Sequence, residues 1–297
     1  VVYTRRMLTE TRKGEVAAFS SAFLWSAFPV LTVVTVSQLA PLFTAAIATL
    51  IAAVFFALVL TRRKRWGELL LRTAWFDMAM ATLFIGIVFY GLTFTGFRFT
   101  TPGNGAVVGQ MEIFFTFLIV NILWKHERFV PAHAAGALLM VIGALFILLP
   151  KWSGRLNAGD LIILIATMAP PVGNVYAQRA RRAVSGETLM FVRSAAGCIF
   201  LFLLAFLFEP VPPAAALTGA WWLLALNGVF LLGISKLLWL EALHRLPISK
   251  TLGLTACGVF MTFVFAYVFL HQNVTMQQLL SAVPMIAGLV LLTRKEG

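Results

Sequence analysis

Most of this chain consists of apolar runs about as long as a lipid bilayer is thick. A helix needs about 20 apolar residues to cross the roughly 30 Å hydrocarbon core of a bilayer. The sequence predicts ten such helices, at residues 15–36, 40–60, 74–96, 102–123, 130–149, 158–178, 188–208, 219–241, 249–270 and 275–293. The connectors are short and carry proline, glycine or charge, so none is long enough to form a soluble domain. We therefore expect an all-α membrane protein with a single membrane domain, residues 1–297.

The composition and the placement of charge agree with this expectation. The chain is 61% apolar and 11% charged, against roughly 45–50% and 25% in soluble domains. The net charge is +12, but Lys and Arg form short clusters between the apolar runs, which predicts topology signals and no nucleic-acid surface. With the N-terminus in the cytoplasm, most of these residues fall on the cytoplasmic side, and Arg98, Lys151 and Arg155 fall outside. This distribution favours ten spans with both termini in the cytoplasm.

The ten predicted helices form two similar halves. Gly14 stands at the start of the first apolar run and Gly159 at the start of the sixth, while Gly143 and Gly288 lie in the last helix of each half, so both pairs are 145 residues apart. A copy with an odd number of helices inserts its successor upside down, and secondary transporters built this way bind substrate at mid-membrane between the copies. We therefore expect two inverted five-helix repeats around a central cavity, lined by helices one, three, four, six, eight and nine, with five and ten peripheral. Repeat A is assigned to residues 14–150 and repeat B to 159–295.

Motifs for enzymes, nucleotides and metals are absent from the sequence. It contains no Walker-type phosphate loop, no HExxH or CxxC motif and no paired carboxylate cluster. The four histidines lack metal-ligand spacing, and Cys198 and Cys257 fit small buried helix residues. We expect no enzyme activity, no cofactor and no metal; the expected partners are a small-molecule substrate, the lipid bilayer and protons. The GxxxG pattern of Gly105 and Gly109 predicts close helix packing, with a weak homodimer as the alternative to a monomer.

Prolines mark the first helix of each half as part of the predicted binding site. Trp25 and Pro29 lie on one face of the first helix, and 145 residues after them stand Pro170 and Asn174. A proline frees a backbone carbonyl and bends a helix, which a membrane tolerates where the helix lines a cavity. The ring of Trp25, at mid-helix, could stack on a planar or cationic ligand; core packing is the alternative.

Two further polar pairs keep the same spacing. Tyr90 precedes Ser235 by 145 residues, and Gln110 precedes Thr255 by the same number. We expect these four side chains to contribute to substrate binding from matching depths. The alternative is that they form hydrogen bonds between helices, which contribute about 0.6 kcal/mol each on average.

Two ionisable residues are predicted within the apolar spans. An ionised group at mid-bilayer costs about 2.5–3.5 kcal/mol on insertion scales, so each requires an explanation. Glu112 could accept a proton or hold a substrate ammonium group, or it could be a protonated carboxyl bonded to a neighbouring helix. Lys236 could attract a substrate carboxylate, pair with Glu112 or Glu241, or extend to the headgroups.

Three charged residues near the cytoplasmic edge are candidates for a gate. Asp77 and Arg193 lie within the first turns of the third and seventh predicted helices, and Glu241 ends the eighth. An ion pair between Asp77 and Arg193 could break as the two halves move. The alternative is that these residues lie at the interface and reach water.

Several local patterns resemble the drug/metabolite transporter superfamily, and in particular its EamA-type exporters. They are the Trp-containing stretch 23–29, the small-residue stretch 100–106, the Met-Glu-Ile-Phe stretch 111–114 and the turn at 124–129. Ile113 stands where many members carry proline, and His126 stands where they carry glycine. The resemblance implies a bacterial inner-membrane exporter of amino acids, other metabolites or cationic drugs, with bacterial aromatic amino acid exporters as the suggested relatives.

These observations together predict a secondary transporter that exports small amphipathic metabolites by alternating access. Amino acids are the first candidates, and aromatic ones are favoured by Trp25, Tyr90 and Tyr176, while Glu112 opposite Lys236 suits a zwitterion. The direction of transport is implied by the resemblance alone. The alternatives are an uptake permease or a passive facilitator for another small metabolite, a membrane-embedded enzyme, or a sensor.

Overall fold

The computed structural model describes residues 2–124, 131–148, 157–255 and 257–293, and over these residues it contains helices and no β-strand. We number its helical segments in chain order. Segments 1 to 5 are Val2–Trp25 with Phe28–Gln38; Pro41–Arg63; Trp75–Ala81, the π-helix Thr82–Phe89 and Tyr90–Phe97; Pro102–Gly109, Met111–Thr116 and the π-helix Phe117–Leu123; and Pro131–Leu148. Segments 6 to 10 are Ala158–Ala166 with Ala169–Ala180; Gly186–Phe208; Ala214–Ala225, the π-helix Leu226–Ser235 and Lys236–Arg245; Ile248–Thr255 with Gly258–Leu270; and Met276–Thr293.

Two 3₁₀ turns, Trp66–Leu70 and Arg72–Ala74, connect segments 2 and 3. The described residues do not include Lys151 and Arg155, which the sequence places outside the cytoplasm. They also do not include residues 125–129 of the turn that contains His126.

Seven of the described helices are long and apolar enough to cross a membrane. They are Glu10–Gln38, Pro41–Arg63, Arg72–Phe97, Pro102–Val120, Ala158–Ala180, Gly186–Phe208 and Ala214–Arg245. Two shorter apolar helices are Gly258–Leu270 and Met276–Leu291. The prediction of an all-helical, multi-pass membrane protein is therefore confirmed. Segment 8 differs from the predicted run 219–241, because its helix begins at Ala214 and continues to Arg245.

The segments pack in pairs that join the two halves of the chain. Segment 1 packs against segment 8, and segment 3 packs against segment 6. Segment 2 packs against segment 7, and segment 5 against segment 10. The counterparts of segments 1 and 8 in the other half are segments 6 and 3, so the first two pairs are equivalent. Segments 2 and 7 are counterparts of each other, and so are segments 5 and 10. The same set of contacts is thus made from both halves.

Close contacts between segments 5 and 10 are reciprocal. A Cβ atom added to Gly143 would lie 2.6 Å from the carbonyl oxygen of Ser281, and one added to Gly288 would lie 2.4 Å from that of Gly136. Ser281 follows Gly136 by the same 145 residues that separate Gly288 from Gly143. Gly143 thus approaches Ser281, and the counterparts of these two residues, Gly288 and Gly136, approach each other in the same way. Such reciprocal contacts are characteristic of twofold symmetry. The two helices run antiparallel here, because the early part of each meets the late part of the other.

Segments 1 and 6 are each broken near the middle. Segment 1 is interrupted at residues 26–27 and segment 6 at residues 167–168. A proline, Pro29 or Pro170, is the second residue of the helix that follows each break. Proline lacks the N–H group that a continuous helix would use at this point, and it is tolerated in a helix's first turn. At the place where the prolines predict a bend, one helix therefore ends and a second helix begins.

Four other segments depart from α-helical geometry at matching places. Segment 4 is interrupted at Gln110, and segment 9 is interrupted at Cys257. Segments 3 and 8 contain the π-helices Thr82–Phe89 and Leu226–Ser235, at equivalent positions of the two halves. π-helical turns are rare and occur frequently at functional sites. All six segments predicted to line the cavity thus contain an irregularity.

Polar contacts join the two halves at both ends of the bundle. At the end that carries the N-terminus, Lys250 Nζ donates to Glu15 Oε1 at 2.7 Å; we call this the N-terminal-face contact. At the other end, the carboxylate of Asp160 accepts hydrogen bonds from the Thr100 hydroxyl and, at 3.2 Å, from Asn104 Nδ2; we call this the opposite-face contact. Glu15 and Asp160 are 145 residues apart. Each contact therefore joins the first segment of one half to the region of the third and fourth segments of the other.

Glu68 fixes the beginning of segment 7. Its Oε2 atom accepts hydrogen bonds from the backbone N–H of Ser185 at 2.6 Å and from the Thr188 hydroxyl at 2.8 Å. Burial raises the pKa of Glu68, but these hydrogen bonds outweigh burial and hold the pKa below its ordinary value. The connector between segments 2 and 3 is thus bound to the helix that carries Arg193.

The crossing of segments 5 and 10 gives a stability prediction. We expect Gly288→Ala to destabilise the protein by about 1–3 kcal/mol, because its Cβ would clash with a backbone carbonyl that cannot move aside. Gly219→Ala is the matched control, since a Cβ there meets nothing within 4 Å and alanine favours a helix. Thermal unfolding of both variants in detergent measures the difference. Equal melting temperatures for Gly288→Ala and the parent protein would contradict this packing.

Candidate functional site

A central cavity lies where the irregular parts of the segments meet. Its volume is about 140 Å³. Side chains from segments 1, 3, 4, 6, 8 and 9 line it, and Arg193 of segment 7 lines it as well. Among the described residues, none of those lining the cavity belongs to segment 5 or segment 10. The cavity wall thus follows the sequence prediction in six segments and differs from it in segment 7.

Most of the predicted binding residues meet at this cavity. Those that line it are Trp25, Pro29, Gln110, Glu112, Pro170, Asn174, Lys236 and Thr255. They come from five segments that are far apart in sequence and are brought together by the packing of the two halves.

Tyr90 and Ser235 do not line the cavity, which differs from the sequence expectation. The Tyr90 ring is buried, and its hydroxyl oxygen accepts a hydrogen bond from Arg193 Nη2 at 3.3 Å. The Ser235 hydroxyl donates to the carbonyl oxygen of Ser21 at 3.1 Å, while the Ser21 hydroxyl donates to the carbonyl oxygen of Ser235 at 2.9 Å. Ser235 therefore joins segments 1 and 8, and Tyr90 supports Arg193.

The ammonium group of Lys236 lies over the indole ring of Trp25. The Nζ atom is 3.0 Å from the ring centroid, a cation–π contact. On its far side Trp25 stacks on Phe28, with ring centroids 4.0 Å apart and planes at 9°. Lys236 therefore points into the cavity and does not extend to the headgroups. No salt bridge joins it to Glu112 or Glu241 in the part of the chain that the structure describes.

A chain of hydrogen bonds holds Glu112 in the wall of the cavity. Asn174 Nδ2 donates to Glu112 Oε1 at 3.2 Å, and Trp239 Nε1 donates to Asn174 Oδ1 at 3.3 Å. Segments 4, 6 and 8 are connected in this way. Glu112 and Lys236 both line the cavity. The carboxyl is thus both bonded to a neighbouring helix and available to the cavity.

The predicted gate residues lie in three separate places. Arg193 is 2% exposed and faces the cavity, two helical turns into segment 7. Asp77 is half-buried in segment 3, and no ion pair joins it to Arg193 among the described residues. Glu241 interacts instead with Arg181, at 3.4 Å, and with Arg245. Arg193 thus turns inward to Tyr90, and the predicted ion pair is not formed among the described residues.

The charges of the cavity do not follow the repeat. The counterparts of Glu112 and Lys236, at a spacing of 145 residues, are Cys257 and Gly91, and the counterpart of Arg193 is Ala48. The equivalent places in the other half thus carry small, uncharged residues. The repeated scaffold therefore does not by itself require the three ionisable groups.

Comparison with known proteins identifies the family. The sequence model of the EamA-like transporter family matches residues 12–149 and again residues 157–294. The chain belongs to the EamA-like transporter family. It is therefore a transporter of the drug/metabolite transporter superfamily and not an enzyme, as its sequence predicted.

Three relatives agree with this assignment. The chain is similar to the uncharacterized transporter YoaV of Bacillus subtilis (strain 168), with 24% identity over 217 residues that cover 71% of this chain and 73% of YoaV. It is also similar to the uncharacterized transporter YvbV of the same organism, with 22% identity over 295 residues that cover 98% and 94% of the two chains. A crystal structure of another protein has a TM-score of 0.70 at 18% identity and covers 94% of this chain and 95% of that chain, which shows similarity of fold alone.

The hydrogen-bond chain through Asn174 gives a prediction for the site. We expect Asn174→Ala to lower stability by about 1–3 kcal/mol, because it leaves Glu112 Oε1 and the Trp239 indole N–H without these partners. Asn273→Ala, in the exposed connector between segments 9 and 10, is the control and should change little. Thermal unfolding in detergent compares the two. A loss of stability for Asn273→Ala as large as that for Asn174→Ala would show that the network has no special role.

Proposed function

We propose that the protein is a secondary transporter whose ten transmembrane helices form two inverted five-helix repeats around the central cavity. Residues 1–297 would form one membrane domain, with repeat A at 14–150 and repeat B at 159–295. Two observations support the inversion. The contacts of segments 5 and 10 are reciprocal, and these two counterpart helices run antiparallel. If corresponding helices run in opposite directions, the two repeats have opposite orientations in the bilayer.

The proposed mechanism is alternating access, in which the cavity opens to one side of the membrane at a time. The two face contacts support it. Glu15 with Lys250 closes the N-terminal face, and Asp160 with Thr100 and Asn104 closes the opposite face. Because Glu15 and Asp160 occupy equivalent positions of the repeats, one and the same relative movement of the two halves would release one contact while keeping the other.

The size of the cavity favours a small metabolite as cargo. Sites for drug-sized ligands measure about 300–1,000 Å³, whereas a cavity of about 150 Å³ is large enough for a molecule such as benzene. The volume here, about 140 Å³, is close to the smaller value. We therefore propose an amino acid or another metabolite of similar size in preference to a cationic drug.

The polarity of the cavity supports an amphipathic cargo. Lys236 and Glu112 present opposite charges to a zwitterion, and most of the other side chains that line the cavity are apolar. Tyr176, one of three residues thought to favour aromatic cargo, contacts Phe76 and Trp124 instead of the cavity. The case for aromatic side chains therefore depends mainly on Trp25, and because Lys236 and Phe28 cover the two faces of its ring, it requires Lys236 to leave the ring.

We propose export across the inner membrane of a bacterium, with both termini in the cytoplasm and a monomer as the functional unit. The distribution of Lys and Arg supports the orientation. Flux assays in proteoliposomes, with labelled amino acids and organic cations under imposed pH gradients, test transport and its direction. We expect accumulation of an amino acid driven by an opposing proton gradient. Uptake coupled in the same direction as protons would indicate a permease, and gradient-independent equilibration would indicate a facilitator.

The role of Glu112 as proton carrier is tested separately. We expect Glu112→Gln to abolish proton-coupled counterflow and to leave exchange of substrate for substrate intact, because exchange does not require net proton movement. The control is Glu209→Gln. In the parent protein the Glu209 carboxylate accepts hydrogen bonds from the backbone N–H groups of Leu42 and Phe43 at the opposite face. Preserved proton coupling in Glu112→Gln would remove this role.

A further inference from the structure

Arg193 is held against the cavity by close packing of segments 3 and 7. A Cβ added to Gly86 would lie 3.1 Å from Arg193 Cγ and 3.1 Å from its carbonyl oxygen, and one added to Gly197 would lie 3.2 Å from the carbonyl oxygen of Gly86. A side chain at position 86 would therefore press on the stem of the arginine. The guanidinium group is therefore fixed two turns inside segment 7, at the cavity wall.

The guanidinium group has few partners for a buried cation. Nη2 donates to the Tyr90 hydroxyl at 3.3 Å, and the guanidinium carbon lies 5.8 Å from the Tyr90 ring centroid. Nε is buried without a hydrogen-bond partner, and no carboxylate forms a salt bridge with Arg193 within the described residues. A buried charge without a partner is costly, and a guanidinium presents a planar set of donors that matches a carboxylate. The group is therefore arranged to receive an anion from the cavity.

The repeat shows that the fold does not need this pair. Arg193 and Tyr90, which are bonded to each other, have Ala48 and Ser235 as their counterparts. Ala48 is completely buried, so the same position is occupied in the other half by a small apolar side chain. Both members of the pair thus differ from their counterparts in the other half. The scaffold that the two halves share does not explain this difference.

The other two charges of the cavity already have partners. Lys236 lies on the face of Trp25, and Glu112 accepts a hydrogen bond from Asn174. Two cations and one carboxylate line the described cavity, so positive charge is in excess, and Arg193 Nε is buried there without a hydrogen-bond partner.

We infer that Arg193, oriented by Tyr90, binds a carboxylate of the cargo, and that the cavity prefers a small organic anion, such as an acidic amino acid or a dicarboxylate, to its neutral isostere. This inference depends on the proposed transport function and specifies its substrate class. The cargo's ammonium group, where it has one, would face Glu112, and its carboxylates would face Lys236 and Arg193. The guanidinium and the carboxylate would form two parallel hydrogen bonds, as such pairs commonly do.

Glutamate and glutamine, or aspartate and asparagine, test this preference because each pair differs mainly in one charge. Binding is measured on the purified protein in detergent as a ligand-dependent rise in melting temperature, and flux is measured in proteoliposomes. We expect glutamate or aspartate to bind at least about tenfold more tightly than its amide, since a hydrogen bond to a charged group contributes about 1.5–3 kcal/mol. Equal binding of acid and amide, or no binding of either acid, would overturn the inference.

Variants identify the residue responsible. Arg193→Gln should abolish the preference for the acid, Arg193→Lys should retain part of it because the charge remains, and Tyr90→Phe should weaken acid binding without reversing the preference. Arg62→Gln, an exposed arginine at the N-terminal face, is the matched control and should behave as the parent protein does. An unchanged preference in Arg193→Gln would contradict the inference; if that variant fails to fold, full acid affinity in both Arg193→Lys and Tyr90→Phe would contradict it equally.

The two proposals fail in different ways. If the liposomes transport a neutral amino acid or an organic cation but neither acid binds, the substrate class is wrong while the transport function stands. If none of these solutes moves under any gradient, the transport function itself is contradicted.

Discussion

Backbone hydrogen bonding is the constraint on which the structure depends, because hydrocarbon offers no partners for unpaired N–H and C=O groups. Long continuous helices satisfy it in segments 2 and 7. The breaks at residues 26–27, 110 and 167–168 leave groups that must bond elsewhere, and all three lie beside the cavity. At the first break the carbonyl oxygen of Ser26 accepts a hydrogen bond from Thr262 Oγ1 of segment 9 at 2.8 Å. A broken helix in one half is thus stabilised by a helix of the other half, and the cavity lies beside the breaks.

Repetition explains the scaffold, and departures from repetition explain the site. Glycines recur at equivalent positions of segments 5 and 10 because two helices of opposite direction must approach closely there from both halves. Such contacts require small residues and backbone complementarity, and they carry no chemical specificity. The groups that can recognise a ligand, Glu112, Lys236 and Arg193, lack charged counterparts. One scaffold of this kind can therefore carry different cargo sites through substitutions at a few positions of the wall.

The sequence predicts much of the fold because bilayer thickness and helix geometry limit the possibilities, and because the repeat pairs Pro29 with the region of Pro170. It also predicts eight of the residues that line the cavity, since polarity or proline at mid-helix requires an explanation there. It does not predict the inward direction of Arg193. Two turns from a helix end, a long side chain can reach either water or the interior, and the direction depends on tertiary contacts such as those with Gly86 and Tyr90. The sequence likewise places Tyr90 at the correct depth but not on the correct face.

The two face contacts differ in chemistry although their positions are equivalent, so opening the two faces would cost different amounts of free energy. Glu15 and Lys250 are each about one-third exposed, at 34% and 36%, and an exposed ion pair contributes about 0–1 kcal/mol. Asp160 is completely buried, and its hydrogen-bond donor Asn104 is itself bonded to Gln278 Nε2 at 2.9 Å. Breaking that network exposes several buried polar groups at once, each of which costs more than it contributes when paired. In the proposed cycle the N-terminal-face contact is therefore the easier of the two contacts to break, and the opposite-face contact breaks only when water or cargo replaces the lost hydrogen bonds.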